Sequence, residues 1–138
     1  MDIVPNPDDV MTRLIEWIEL KDDKKFQDNY QTNLNIINEE QHNVLLYKAI
    51  DNNLIDIVEE ILKHGHTNIN KKGLFSTYTP LGLAVRKEEK YAIVQCLIKY
   101  NADVNYRINY EDTPIMEAIK YSNWPAFRLL HENGADID

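Results

Sequence analysis

The sequence holds one cysteine, four glycines and no long apolar run, and each shortage excludes something. A lone Cys96 cannot close an internal disulfide and is too few for a cysteine-based zinc site. It points to a reducing compartment inside the cell, cytoplasm or nucleus. Four scattered glycines cannot build a phosphate-cradling loop. No apolar stretch approaches the roughly 18 residues of a membrane span, and the opening MDIVPNPDD carries no signal-peptide pattern. Basic residues are outnumbered, 15 Lys and Arg against 23 Asp and Glu, for a formal charge of −8. That balance argues against a protein whose main task is to grip nucleic acid or an anionic membrane.

What is present suits a single folded domain. A chain of 138 residues buries enough surface to need no disulfide or metal staple. A hydrophobic share of 43% argues against global disorder. Ile appears 16 times and Asn 15 times, and Lys outnumbers Arg 11 to 4. These residues use AT-rich codons, a hint at an AT-rich genome.

Internal periodicity carries the fold argument. Thr79-Pro80-Leu81 and Thr113-Pro114-Ile115 lie 34 residues apart, and so do Ala84 and Ala118. Stepping back 35 from Thr79 reaches Val44, which opens a degraded copy, Val44-Leu45-Leu46-Tyr47-Lys48-Ala49. A second landmark follows each: Gly65-His66-Thr67-Asn68-Ile69-Asn70, Asn101-Ala102-Asp103-Val104-Asn105 and Gly134-Ala135-Asp136-Ile137-Asp138. Apolar pairs lie between them in phase: Ile57-Val58 with Ile61-Leu62, then Ile93-Val94 with Leu97-Ile98. The third copy reads Ala126-Phe127 with Leu129-Leu130, or, one residue on, with His131 in the second apolar slot as a packing residue, where strict spacing puts it.

Each unit reads as helix, turn, helix, loop. Thr79 and Thr113 are N-caps, and Pro80 and Pro114 fall at the first helical position, where a missing N–H costs little. Gly65, Asn101 and Gly134 stand where the second helix stops and tolerate a left-handed cap. The spacing predicts helices over 44–52, 56–64, 79–87, 92–100, 113–121 and 125–132, another near 7–20, and hairpin-like loops over 66–78 and 102–112.

The pattern resembles the ankyrin repeat, whose period is about 33 residues, with T-P-L-H-x-A opening the first helix and G-A-D-V-N ending the unit. The resemblance covers 39–138 in three units, about 39–70, 71–105 and 106–138. It implies an all-α ankyrin-repeat solenoid of antiparallel helix pairs joined by hairpin-like loops. The motif histidine is replaced by Tyr47, Gly82 and Met116, and the turn Gly-His by Asn53-Leu54, Glu88-Glu89 and Ser122-Asn123. Unit two carries one extra residue within Arg86–Tyr91. The tetratricopeptide repeat shares the period but lacks the Thr-Pro start. No copy of the motif lies upstream of residue 39, although Asn33-Leu34-Asn35-Ile36-Ile37-Asn38 looks like a degraded repeat ending. Asn6-Pro7-Asp8-Asp9 starts a helix whose apolar face is Val10, Met11, Leu14, Ile15, Trp17 and Ile18, and a weaker helix follows from Asp23 to Tyr30. This segment reads as a degenerate capping repeat; the rival reading is a partner-binding amphipathic helix.

The residues offer no catalytic chemistry. His64-Gly65-His66 suits a helix end rather than a metal, and Cys96 reads as a half-buried inert thiol. No cofactor, metal or small-molecule substrate is expected. The resemblance implies a non-catalytic module that binds a partner protein on the concave face. Its variable positions fall here on Asn43, Asp51 and Asn52; on Phe75, Ser76, Tyr78, Arg86 and Lys87; and on Arg107, Asn109, Tyr110, Asp112, Lys120 and Tyr121. This set holds four aromatics and four bases against two acids, on an acidic chain. The expected ligand is a protein segment of acidic and apolar character, with Glu60 and Lys63 on the opposite, convex side. Two alternatives share the fold. One is a targeting or recruitment domain of a larger enzyme or effector, and the other a stand-alone inhibitor resembling those of NF-κB-type transcription factors.

Overall fold

The computed structural model describes residues 5–73, 78–107 and 112–137. Their regular structure is all helical: α1 (Pro7–Glu19), α2 (Asp23–Thr32), α3 (Glu39–Asp51), α4 (Ile55–His64), α5 (Pro80–Ala84), α6 (Tyr91–Lys99), α7 (Pro114–Lys120) and α8 (Trp124–Glu132). A single 3-10 turn, Glu88–Lys90, precedes α6. The chain divides into two compact units, Met1–Thr67 and Asn68–Asp138.

In the first unit, Asn6 caps α1 by accepting from the Asp8 N–H at 2.8 Å, with Pro7 at the first helical position. Of the expected apolar face Val10, Met11, Leu14 and Ile18 are buried, while Ile15 and Trp17 are half-buried. Lys21 turns the chain in the left-handed region (φ 57°), and Asp22 then caps α2. Phe26 and Tyr30 are fully buried and stack with centroids 5.2 Å apart. α1 packs on α2 and α3, and α2 on α4. The N-terminal segment thus contributes a helix pair of its own, although it carries no motif.

α3 begins five residues before the predicted start at 44. The missed signal is a capping box. Asn38 Oδ1 accepts from the Gln41 N–H at 2.8 Å, and Gln41 Oε1 accepts from the Asn38 N–H at 2.9 Å. Glu39 and Glu40 fill the first turn, where acids suit the dipole.

In the second unit, Thr79 Oγ1 accepts from the Gly82 N–H and Thr113 Oγ1 from the Met116 N–H, at 3.1 and 3.4 Å. α5 stops at Ala84, three residues before the predicted 87. The extra residue of this repeat is taken up by the 3-10 turn, which re-aims the chain into α6. Elsewhere the inter-helix turn uses a left-handed residue, Asn53 (φ 56°) or Ser122 (φ 54°), where the family pattern has Gly. Gly65, Asn101 and Gly134 adopt φ of 73°, 70° and 92°, as their C-cap positions require. Ala84 and Ala118 are fully buried; α5 meets α7 and α6 meets α8.

The loops are tied by asparagines. Asn70 Oδ1 accepts from the Asp103 N–H at 2.9 Å, and Asn105 Oδ1 accepts from the Asp136 N–H at 2.8 Å. The Asn ending one repeat therefore holds the Asp opening the ending of the next. The predicted loops at 66–78 and 102–112 include 74–77 and 108–111, which lie outside the described residues.

Two packing expectations need correction. Cys96 is buried rather than half-buried, because α6 turns that flank inward. His131 is exposed rather than packed, while Leu130, in the slot of Leu97, is fully buried. Phe127 stacks on the outward His131 ring, with centroids 6.3 Å apart.

Candidate functional site

α5 and α7 each begin at a Thr-Pro cap, and residues at the ends of the two helices converge. Tyr78 precedes the α5 cap, Arg86 follows α5, and Tyr121 follows α7. The Arg86 guanidinium lies over both rings, 4.6 Å from the Tyr78 centroid and 4.7 Å from that of Tyr121. It also donates from Nη2 to the Tyr121 hydroxyl. A cation held over an aromatic ring gains about 0.5–1 kcal/mol when exposed and about 2 when desolvated. The hydrogen bond to Tyr121 is the largest influence holding Arg86 in its charged form. Burial opposes it, while Tyr78, Tyr121 and Glu117 assist.

Glu117 stands beside this stack and is buried, only 4% exposed. Its Oε2 accepts no hydrogen bond, and neither does the buried Arg86 Nε donate one. Burial pushes the Glu117 carboxyl above its ordinary value. The Lys120 charge opposes that, the Asp112 charge adds to it, and the Arg86 charge opposes it. A hydrogen bond with Asp112 pushes it further up. On α7, Met116 and Ile119 are 37% and 41% exposed and lie three residues apart, so they share a stripe. The result is a fixed positive charge between two aromatic faces, above a buried carboxyl and near exposed apolar side chains.

The other sequence-predicted positions distribute as follows. Lys87, Arg107 and Lys120 are exposed and Asp112 is half-buried in the second unit. Phe75, Ser76, Asn109 and Tyr110 lie outside the described residues. In the first unit, Asp51 and Asn52 are exposed at the end of α3, where Asn52 Nδ2 donates to the Lys48 carbonyl at 2.8 Å. Asn43 is buried, 6% exposed, because α3 extends N-terminal of the expected start and turns this residue inward. Glu60 is also buried rather than displayed on a convex surface; it is held by Lys63 and His64, each at 3.0 Å. Lys63 keeps its exposure.

Sequence reasoning missed Glu117 and Asn123. Glu117 adjoins Ala118, the small residue at the repeat contact, and that adjacency was the available signal. Asn123 is 1% exposed. Its Nδ2 donates to the Val85 carbonyl at 2.8 Å, and its Oδ1 accepts from the Ala126 N–H at 3.3 Å. One side chain thus caps α8 and stitches one repeat to the other.

Among the described residues, no group of three or more His, Cys, Asp or Glu is placed to hold a metal. No described helix is long and apolar enough to cross a membrane.

The family model for ankyrin repeats, in three copies, matches residues 45–138. The chain belongs to the ankyrin-repeat family. Ankyrin repeats are protein–protein interaction modules, and the family is generally non-catalytic. The ankyrin repeat and SOCS box protein 6 of Pongo abelii is 32% identical over 111 residues, 76% of this chain and 26% of that protein. An ankyrin repeat protein of Fowlpox virus (strain NVSL) is 36% identical over 101 residues, 70% of this chain and 29% of its own length. One from Acanthamoeba polyphaga mimivirus is 30% identical over 108 residues, covering 73% of this chain and 63% of that protein. The chain spans about a quarter of the first of these relatives.

Proposed function

We propose that this ankyrin-repeat chain binds a partner protein through the face carrying Tyr78, Arg86 and Tyr121, the face the family presents as concave. The partner supplies a segment of acidic and apolar character. The supporting observation is the guanidinium held between two tyrosine rings. Aromatic and Arg side chains are the usual interface anchors, and a pre-set Arg loses little rotamer freedom on binding. Lys87, Arg107 and Lys120 steer an acidic segment, and Met116 and Ile119 offer it apolar area. The chain itself performs no catalysis and works inside the cell, in cytoplasm or nucleus, without nucleic acid or membrane as its target.

A displayed peptide library selected on the full chain tests this. Enriched peptides combine Asp or Glu with apolar residues. Replacing Tyr78, Arg86 or Tyr121 by Ala weakens them by about tenfold for each true anchor, about 1.4 kcal/mol. Lys63→Ala is the control that leaves binding intact. Peptides that bind the Tyr78, Arg86 and Tyr121 variants unchanged contradict the proposal.

A second reading is favoured by the orangutan relative, whose name joins ankyrin repeats to a SOCS box and of which this chain spans 26%. In that reading these repeats recruit a target for a larger protein. A native reading frame that continues into a further domain supports it, and one that does not counts against it.

A further inference from the structure

Three of the chain's four histidines gather around one buried tyrosine in the first unit. Tyr30 comes from α2, His42 from α3, His64 from the last turn of α4, and His66 from the loop that follows. Tyr30 is fully buried and His42 is 1% exposed. The Tyr30 hydroxyl lies 2.7 Å from His42 Nδ1, and His42 Nε2 lies 2.9 Å from the Leu34 carbonyl oxygen. A carbonyl only accepts, so Nε2 carries the proton and donates it. Nδ1 of the neutral ring is then an acceptor and takes the Tyr30 O–H. The two distances together fix both the tautomer and the direction of the buried bond.

We propose that this Tyr30–His42 pair makes the first unit acid-sensitive: protonation of His42 reverses the buried bond and loosens α2 from α3. A charged ring has a proton on Nδ1, which must donate to Tyr30 Oη. The hydroxyl proton that pointed at Nδ1 has to turn away into the core. A buried donor without an acceptor costs its full desolvation. The new charge also meets the His66 ring, stacked on His42 at 4.9 Å. From α4 the Glu60 carboxylate faces the cluster: its charge acts on Tyr30, and it is itself engaged by Lys63 and His64, each at 3.0 Å. The buried residues of α1, which packs on α3, are apolar.

Burial holds His42 below its ordinary value of 6.5; the Leu34 carbonyl opposes this, and the His66 and His64 charges add to it. A ring favoured neutral in the fold contributes stability that is complete above the ordinary value and is lost as pH falls below it. The second unit has only the exposed His131.

Urea unfolding of the full chain at pH 7.5 and 5.5 tests the proposal. A Trp124→Phe variant leaves Trp17 to report the first unit; Trp17→Phe leaves Trp124 to report the second. The expected result is a fall in the folding constant of the first unit by up to about tenfold on acidification. That is the limit for one group of ordinary value near 6.5 that stays neutral in the fold. The second unit should change less. His42→Gln should remove the step. If His42→Gln does not fold, Tyr30→Phe, which keeps the ring and deletes the hydroxyl, should shrink it. No step in the parent protein, or an undiminished step in either variant, overturns the proposal. So does a His42 imidazole whose nitrogen resonances titrate at the ordinary histidine value.

Discussion

Replacing Asn123 should separate the two tasks of one buried side chain. Its Oδ1 caps α8 through the Ala126 N–H, and its Nδ2 satisfies the Val85 carbonyl at the end of α5. Ser keeps an N-cap oxygen but cannot reach the carbonyl, so Asn123→Ser orphans a buried acceptor at about 1–3 kcal/mol. Ala removes the cap as well, for about 1 kcal/mol more. Asn123→Ala should therefore cost about 2–4 kcal/mol in all. With a urea slope of about 1–2 kcal/mol/M for a body this small, its midpoint should fall by about 1–4 M. The assay is urea unfolding followed by far-UV circular dichroism, with Trp124 fluorescence in the Trp17→Phe background as the local probe. Asn123→Asp adds a sign test. It keeps the cap and places a carboxylate against the carbonyl, so it should fall below Asn123→Ala at pH 7 and recover on acidification. If Asn123→Ser matches the parent, the bond to Val85 contributes nothing and the inter-repeat stitch is refuted.

Ala118→Leu should overpack the contact between α5 and α7 and cost about 1–3 kcal/mol, read as a lowered melting temperature. Glu117→Gln should stabilise the chain at pH 7: burial raises this carboxyl, so its favourable contribution exists below the ordinary value of 4.5 and is lost as pH rises. Melting curves should show that gain shrinking toward pH 4. Glu60 has the opposite sign. Burial pushes it up, but hydrogen bonds and charge from Lys63 and His64 carry it below 4.5, so its contribution is present above that pH and is lost on further acidification. Glu60→Gln should flatten that acid limb of the melting profile. Deleting residues 1–36, which spares the Asn38 cap, should bare the surface covered by Phe26, Tyr30 and α1, and light scattering should detect aggregation.

The repeats were legible because their signals are local and recur. A Thr cap, a Pro at the first helical position and a left-handed C-cap at Gly65, Asn101 and Gly134 act within one turn of chain, so spacing alone exposes them. The start of α3 is hidden from the period because it lies upstream of the degraded motif, in the Asn38–Gln41 box, which recurs in no other unit. The end of α5 is not legible because an inserted residue does not reveal whether the helix or the turn absorbs it. The site was legible in part. Tyr78, Arg86 and Tyr121 were named from family positions, but their convergence depends on helix packing 35 residues apart in sequence. The buried roles of Asn43, Glu60, Glu117 and Asn123 were not legible. Polar residues in an acidic, Asn-rich chain read as surface until a tertiary neighbour turns them inward.

The central claim is that the chain engages its partner through the face built on the ends of α5 and α7. The direct measurement is the amide nitrogen–proton spectrum of the full chain titrated with a peptide selected from the display library. Shifts should concentrate at Tyr78, Arg86, Lys87, Lys120 and Tyr121, and should vanish in Arg86→Ala. Shifts concentrated instead on the exposed flanks of α6 and α8, at Gln95, Lys99 and Arg128, would contradict it.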